Sequence, residues 1–128
     1  MAEVSDFVVV DRNKLEPSVG GKWKSPTFAT GARNILTSGG TERNNAYITL
    51  TFSVQSDVPN GFSAIRIIVN DHPLSQLVQG KEDSYNTIVS ALFASFLKDG
   101  GGNVVELHAQ NENSFIVRHV VVHFRQNT

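Results

Sequence analysis

The stretch Tyr47–Gln55 sets Ile48, Leu50, Phe52 and Val54 against Tyr47, Thr49, Thr51, Ser53 and Gln55, a strict alternation of apolar and polar positions. Period-two alternation turns one set toward a core and the other toward solvent or a partner, which is the signature of a β-strand. Ser63–Asn70 repeats the pattern, with Ile65, Ile67 and Val69 on one face. Between the two lies Asp57-Val58-Pro59-Asn60-Gly61, where Pro supplies a fixed φ and Asn-Gly a positive one. The pair is therefore expected to form an antiparallel hairpin.

Elsewhere the pattern is weaker. Phe7–Val10 is a short β-branched run closed by Asp11-Arg12-Asn13, an expected edge or terminal strand. Residues 16–46 hold Pro17, Gly20, Gly21, Pro26, Gly31, Gly39 and Gly40, which leaves room only for brief strands at Thr27–Ala29 and Asn34–Leu36. Val105, Leu107 and Ala109 alternate with polar neighbours, and a polar loop centred on Asn111–Ser114 leads into a closing strand, Phe115–Phe124. Its two rows are Ile116, Arg118, Val120, Val122, Phe124 and His119, Val121, His123, Arg125. Valine occurs in both, so one row is assigned to the core and the other to a second subunit or a covering helix. Arg118 is out of place in the inward row; it is expected to snorkel out near a strand end or to pair with Glu106 or Asp99.

Ser84–Lys98 carries Ile88, Leu92, Phe96 and Val89, Phe93, Leu97 at i, i+4, i+8. Asp83 or Ser84 is placed to cap a helix and Gly100 to end it, so a helix is expected over at least part of the segment. The sum is a mainly β single domain over residues 1–128, a β-sandwich of jelly-roll type with one short helix near residues 84–98. An α+β single sheet backed by that helix is the alternative.

Composition narrows the function classes. The 128 residues are 40% hydrophobic and 18% charged, enough for one core and unlike a disordered chain. The net charge of −1 gives no basic excess for nucleic acid. With no cysteine there is no disulfide, thiolate metal site or cysteine nucleophile. The acidic, polar N-terminus does not read as a signal peptide, and no apolar run approaches the roughly 18 residues of a membrane span. A soluble domain without a membrane partner is expected. Its compartment stays open between cytoplasm, virion and a larger multidomain chain.

Candidate chemistry is sparse. His119 and His123 lie four apart on one strand face, about 13 Å along it, too far for one metal ion. If residues 111–114 form the loop, Glu106 faces His119 and His108 faces Val117, an arrangement that fits a surface pair better than a proton-transfer unit. There is no Gly-x-Ser-x-Gly elbow and no Gly-Lys-Ser/Thr phosphate loop. No catalytic residue, metal site or cofactor is assigned, and the chain is not expected to be an enzyme. For ligand binding, loop aromatics and polar side chains stand out: Trp23 between Lys22 and Lys24, Tyr85, Arg43 and Asn45 in the 39–45 loop, and Asn111 and Asn113 in the 110–114 loop. Trp23 has a second reading, as a core plug at one end of the sandwich.

Val69-Asn70-Asp71 at a strand end, followed by Leu97-Lys98-Asp99-Gly100-Gly101-Gly102-Asn103-Val104-Val105-Glu106-Leu107 and an apolar closing strand, resembles carbohydrate-binding and galactose-binding-like β-sandwich modules. Aspartate stands where that pattern has glycine after Asn70. The same strand order is similar to trimeric C1q/TNF-like heads, without their aromatic end motif. The first resemblance implies a non-catalytic glycan-binding module. The second implies a structural or assembly protein, a C1q/TNF-like head or virion component, acting as a homo-oligomer (dimer or trimer).

Overall fold

The structure, a computed structural model, describes residues 3–30, 35, 46–54, 62–81, 85–92, 94–109 and 114–127. The described residues form eight strands: β1 (Glu3–Pro17), β2 (Lys22–Lys24), β3 (Ala46–Val54), β4 (Phe62–Val69), β5 (His72–Lys81), β6 (Asn86–Ala91), β7 (Val105–Ala109) and β8 (Phe115–Asn127). They form two four-stranded antiparallel sheets, ordered β1-β8-β3-β6 and β2-β7-β4-β5. The protein is thus a mainly β sandwich, and the single-sheet alternative is excluded.

The core lies between the sheets. Ile48, Leu50, Phe52 and Val54 of β3 are fully buried, as are Ile65, Ile67 and Val69 of β4 and Val105 and Leu107 of β7. Val117, Val120 and Val122 of β8 complete the inner layer, at 0% exposure. Burying an aliphatic or aromatic side chain of this size contributes about 1.5–3 kcal/mol, so this layer dominates the stability of the fold.

The alternation therefore assigned the strands correctly but not their partners. β3 and β4 are not a hairpin: β3 pairs with β6 and β8 in one sheet, β4 with β5 and β7 in the other. A strand with one apolar face satisfies the same pattern whether its neighbour in sequence lies beside it or across the core. β7 and β8 likewise belong to different sheets, so Glu106 does not face His119. The tight hairpin instead joins β4 to β5 through Asn70 and Asp71, both at positive φ (50° and 68°), with Val69 paired to His72. Two successive positive-φ residues make the turn whose twist suits a two-residue hairpin.

The expected helix over residues 84–98 is replaced by β6 and a single 3-10 turn, Ala94–Phe96. Val89 is 65% exposed while Leu97 is buried, so that i, i+4, i+8 row does not share a core face. The open edge of β3 offers Thr87, Ile88 and Val89 a full hydrogen-bonded register, and β-branched residues fit it well.

Two further departures come from β8. β1 extends through Asp11–Asn13 because register shifts, between Val9 and Asp11 and between Arg12 and Glu16, keep it paired to β8. A shift opposite Thr51 and Phe52 leaves Arg118 as an extra residue, so Phe115 and Val117 point inward before it and Val120, Val122 and Phe124 after it. Arg118 is exposed and has no place in the inward row.

Candidate functional site

The sequence singled out loops, whereas the structure places the exposed aromatic groups on a sheet face. On the outer side of β1-β8-β3-β6 the register lines up Phe7, His123, Tyr47 and Ala91 across four strands. Val9, Val121, Thr49 and Val89 form the next row, and His119, Thr51 and Thr87 follow on β8, β3 and β6. Tyr85 and Arg118 sit toward the far end. Val121 is only 8% exposed yet lies outside the core cluster, so its neighbours on this outer face cover it.

Tyr47 and His123 are stacked, with centroids 4.2 Å apart and planes at 11°, and the Phe7 ring lies 6.0 Å from His123 on the other side. Thr49 Oγ1 is 3.4 Å from His123 Nε2. This half-buried setting lowers the His123 pKa, because desolvation disfavours the imidazolium. Tyr47 is 42% and Phe7 59% exposed, so the row presents aromatic surface to solvent. At the other end Arg118 Cζ lies 5.5 Å from the centroid of Tyr85, itself 42% exposed. Between the two ends, the Thr51 and Thr87 hydroxyls are 2.9 Å apart. Tyr85 precedes Ala91, which pairs with Tyr47, by six residues, so the aromatic ends lie about 20 Å apart along the strands.

The residues named from sequence divide accordingly. Tyr85 is exposed on this face. Trp23 is not a surface platform: it is 5% exposed, pairs with Leu107 and belongs to the core, the plug that was its second reading. Arg43, Asn45, Asn111 and Asn113 lie outside the described residues. Tyr47, Phe7 and His123 went unassigned as a group because their meeting depends on the pairing of β1, β8 and β3, which no local pattern reveals. The alternation of Tyr47 with Ile48 was the one available signal that its ring points away from the core.

The opposite face is of different character. On β2-β7-β4-β5, Lys24 Nζ is 3.9 Å from Glu106 Oε1, and His108 Nε2 is 3.4 Å from Glu106 Oε2. A polar pocket of about 200 Å³ is bordered there by Lys24, Asn70, Asp71, Lys98, Gly102, Val104 and Glu106. Behind it, Asn70 Nδ2 donates to Phe96 O (2.7 Å) and Asn103 Oδ1 (2.9 Å), while Asn70 Oδ1 accepts from Val104 N (2.8 Å). Asn103 is fully buried; its Oδ1 also accepts from Lys98 N at 2.9 Å, and its Nδ2 donates to Lys98 O at 3.2 Å. The Asn70 and Asn103 positions of the sequence resemblance thus serve as a structural clasp between the β4–β5 turn and the approach to β7. Among the described residues no three His, Asp or Glu side chains converge on a point where they could hold a metal ion.

No family model matches the chain, and no curated protein matches it in sequence. Among solved structures, it is similar to the CBM36-1 domain of a multidomain xylanase from the hindgut metagenome of Trinervitermes trinervoides, at 6% identity and TM-score 0.57, over 91% of this chain and 96% of that one. It is also similar to a β-porphyranase of glycoside hydrolase family 86 from Bacteroides plebeius, at 14% identity and TM-score 0.64, over 98% of this chain. A third likeness is dimeric latent PorU from Porphyromonas gingivalis, at 7% identity and TM-score 0.59, over 99% of this chain. The chain spans only 21% of the porphyranase and 13% of PorU. At these identities the shared property is the fold: a β-sandwich that also occurs as a carbohydrate-binding module.

Proposed function

We propose that this domain is a non-catalytic carbohydrate-binding module whose ligand lies along the outer face of β1-β8-β3-β6. The observation that carries the reading is the Tyr47–His123–Phe7 row, an aromatic surface on a rigid sheet with a second exposed aromatic, Tyr85, about 20 Å away. Sugar rings stack on such surfaces through their C–H faces, and a side chain fixed in a sheet loses little entropy when it binds. The Thr51–Thr87 hydroxyl pair and Thr49 offer hydrogen-bonding groups between the platforms. Arg43 and Asn45, which precede β3 in the sequence, and Asn111 and Asn113, which precede β8, are kept as further candidate ligand contacts of this proposal. The strand orders β1-β8-β3-β6 and β2-β7-β4-β5 support a jelly-roll topology, in which sequence neighbours alternate between sheets except at the β4–β5 hairpin.

Titration calorimetry against soluble polysaccharides tests the proposal. At least one should bind, and Tyr47→Ala and Tyr85→Ala should each weaken it about tenfold, the equivalent of 1.4 kcal/mol. The competing reading is assembly, favoured by the exposure of Phe7 (59%) and Val89 (65%) on the same face. A stable dimer or trimer by light scattering, indifferent to sugars and dissociated by Val89→Asp, would replace the glycan reading with that one.

A further inference from the structure

The two outer faces differ in the charged side chains that they display. On β2-β7-β4-β5 the Glu106 carboxylate sits against Lys24 and His108, and Arg66 Nη1 donates to Leu74 O at 2.7 Å. On β1-β8-β3-β6, by contrast, Arg118, His119, His123 and Arg125 all lie on the outer row of β8.

Arg118 is the informative member. It is the extra residue of the β8 register shift, and it follows the inward-facing Val117, so it lies on the outer side of the sheet beside His119. There its guanidinium lies 5.5 Å from the Tyr85 ring. That contact engages its charge. Among the described residues no carboxylate or carbonyl accepts from its N–H groups. A planar guanidinium held beside an aromatic ring is prepared to grip a carboxylate or sulfate with two parallel hydrogen bonds. Arg125 adds positive charge on the same row about 20 Å further along the strand, near the Tyr47 platform.

We infer that the ligand of this face is an anionic glycan, a sugar chain bearing carboxylate or sulfate groups, with Arg118 gripping one acidic group beside a sugar stacked at Tyr85. This rests on the carbohydrate-binding reading and adds the ligand class. Arg118 acts here by direct contact with the ligand, and His119 and the Thr51–Thr87 pair line the path between the platforms.

The test uses matched probes that share a backbone and differ only in charge: polygalacturonate against its methyl ester, and a sulfated galactan against its desulfated form. The acidic member of at least one pair should bind about tenfold tighter than its neutral twin, and that preference should shrink as salt rises. The pair that responds identifies carboxylate or sulfate as the recognised group. Arg118→Gln should cut the preference about fivefold, and Arg118→Lys should restore part of it. Arg125→Gln gives an independent reduction, and the urea midpoint of each variant reports whether the fold is intact. Equal affinity for both members of each pair overturns the anionic class and leaves carbohydrate binding standing. A preference untouched by folded Arg118→Gln overturns the role of Arg118. Failure to bind these and all neutral glycans overturns both readings.

Discussion

Replacing Asn103 with alanine probes the clasp that closes one end of the sandwich. The side chain is fully buried and makes three hydrogen bonds: from Lys98 N and Asn70 Nδ2 into Oδ1, and from Nδ2 to Lys98 O. Each contributes about 1 kcal/mol net, and truncation also strands the Lys98 N–H, adding about 1 kcal/mol more. The expected loss is about 3–4 kcal/mol, a large part of the roughly 5–15 kcal/mol of an ordinary domain. Thermal unfolding should fall by about 10 °C. Urea titration followed by the fluorescence of Trp23, the single tryptophan and 5% exposed, reads the loss directly. The midpoint should drop at unchanged slope. Because Asn70 and Asn103 share a bond, the double alanine variant should cost less than the two singles together. A loss below about 1 kcal/mol would refute the view that these side chains carry the end of the fold.

The turn between β4 and β5 separates two residues with the same backbone requirement. Asp71 sits at φ 68° and is exposed, so Asp71→Gly should stabilise by about 0.5–1 kcal/mol through relief of the left-handed penalty, read by the same urea titration. Asn70→Gly should instead destabilise, because it removes the side-chain bonds to Phe96, Asn103 and Val104. For His123, the folded pKa lies below the ordinary 6.5, so the unfolded chain binds the proton more readily. Its contribution to stability is complete above that value and is lost as pH falls through 6.5 toward the lowered folded pKa. His123→Phe should flatten the decline of the thermal midpoint on acidification, and an unchanged slope would remove His123 as its cause.

Much of the fold is legible in the chain because hydrophobic alternation is a local property. Ile48-x-Leu50-x-Phe52-x-Val54 and Ile65-x-Ile67-x-Val69 are strands in any context that offers a core, and all seven apolar side chains are fully buried. β5 was not read from the sequence; it contains Pro73, which a strand at the edge of its sheet tolerates.

Partner choice is a different matter. Which sheet a strand joins depends on pairings between distant segments, and the Tyr47–His123–Phe7 row exists only because β1, β8 and β3 meet in one register. The bulge that sets Arg118 and His119 side by side on the outer face is likewise decided by how β8 fits β3, and the burial of Trp23 by how β2 lies on β7. The sequence by itself determined that the protein is a β-rich domain with a single apolar core, because burial is dictated residue by residue. Only the tertiary structure decided which polar and aromatic groups share the outer face, because hydrogen-bonded register between strands far apart in sequence is a property of the assembled sheets.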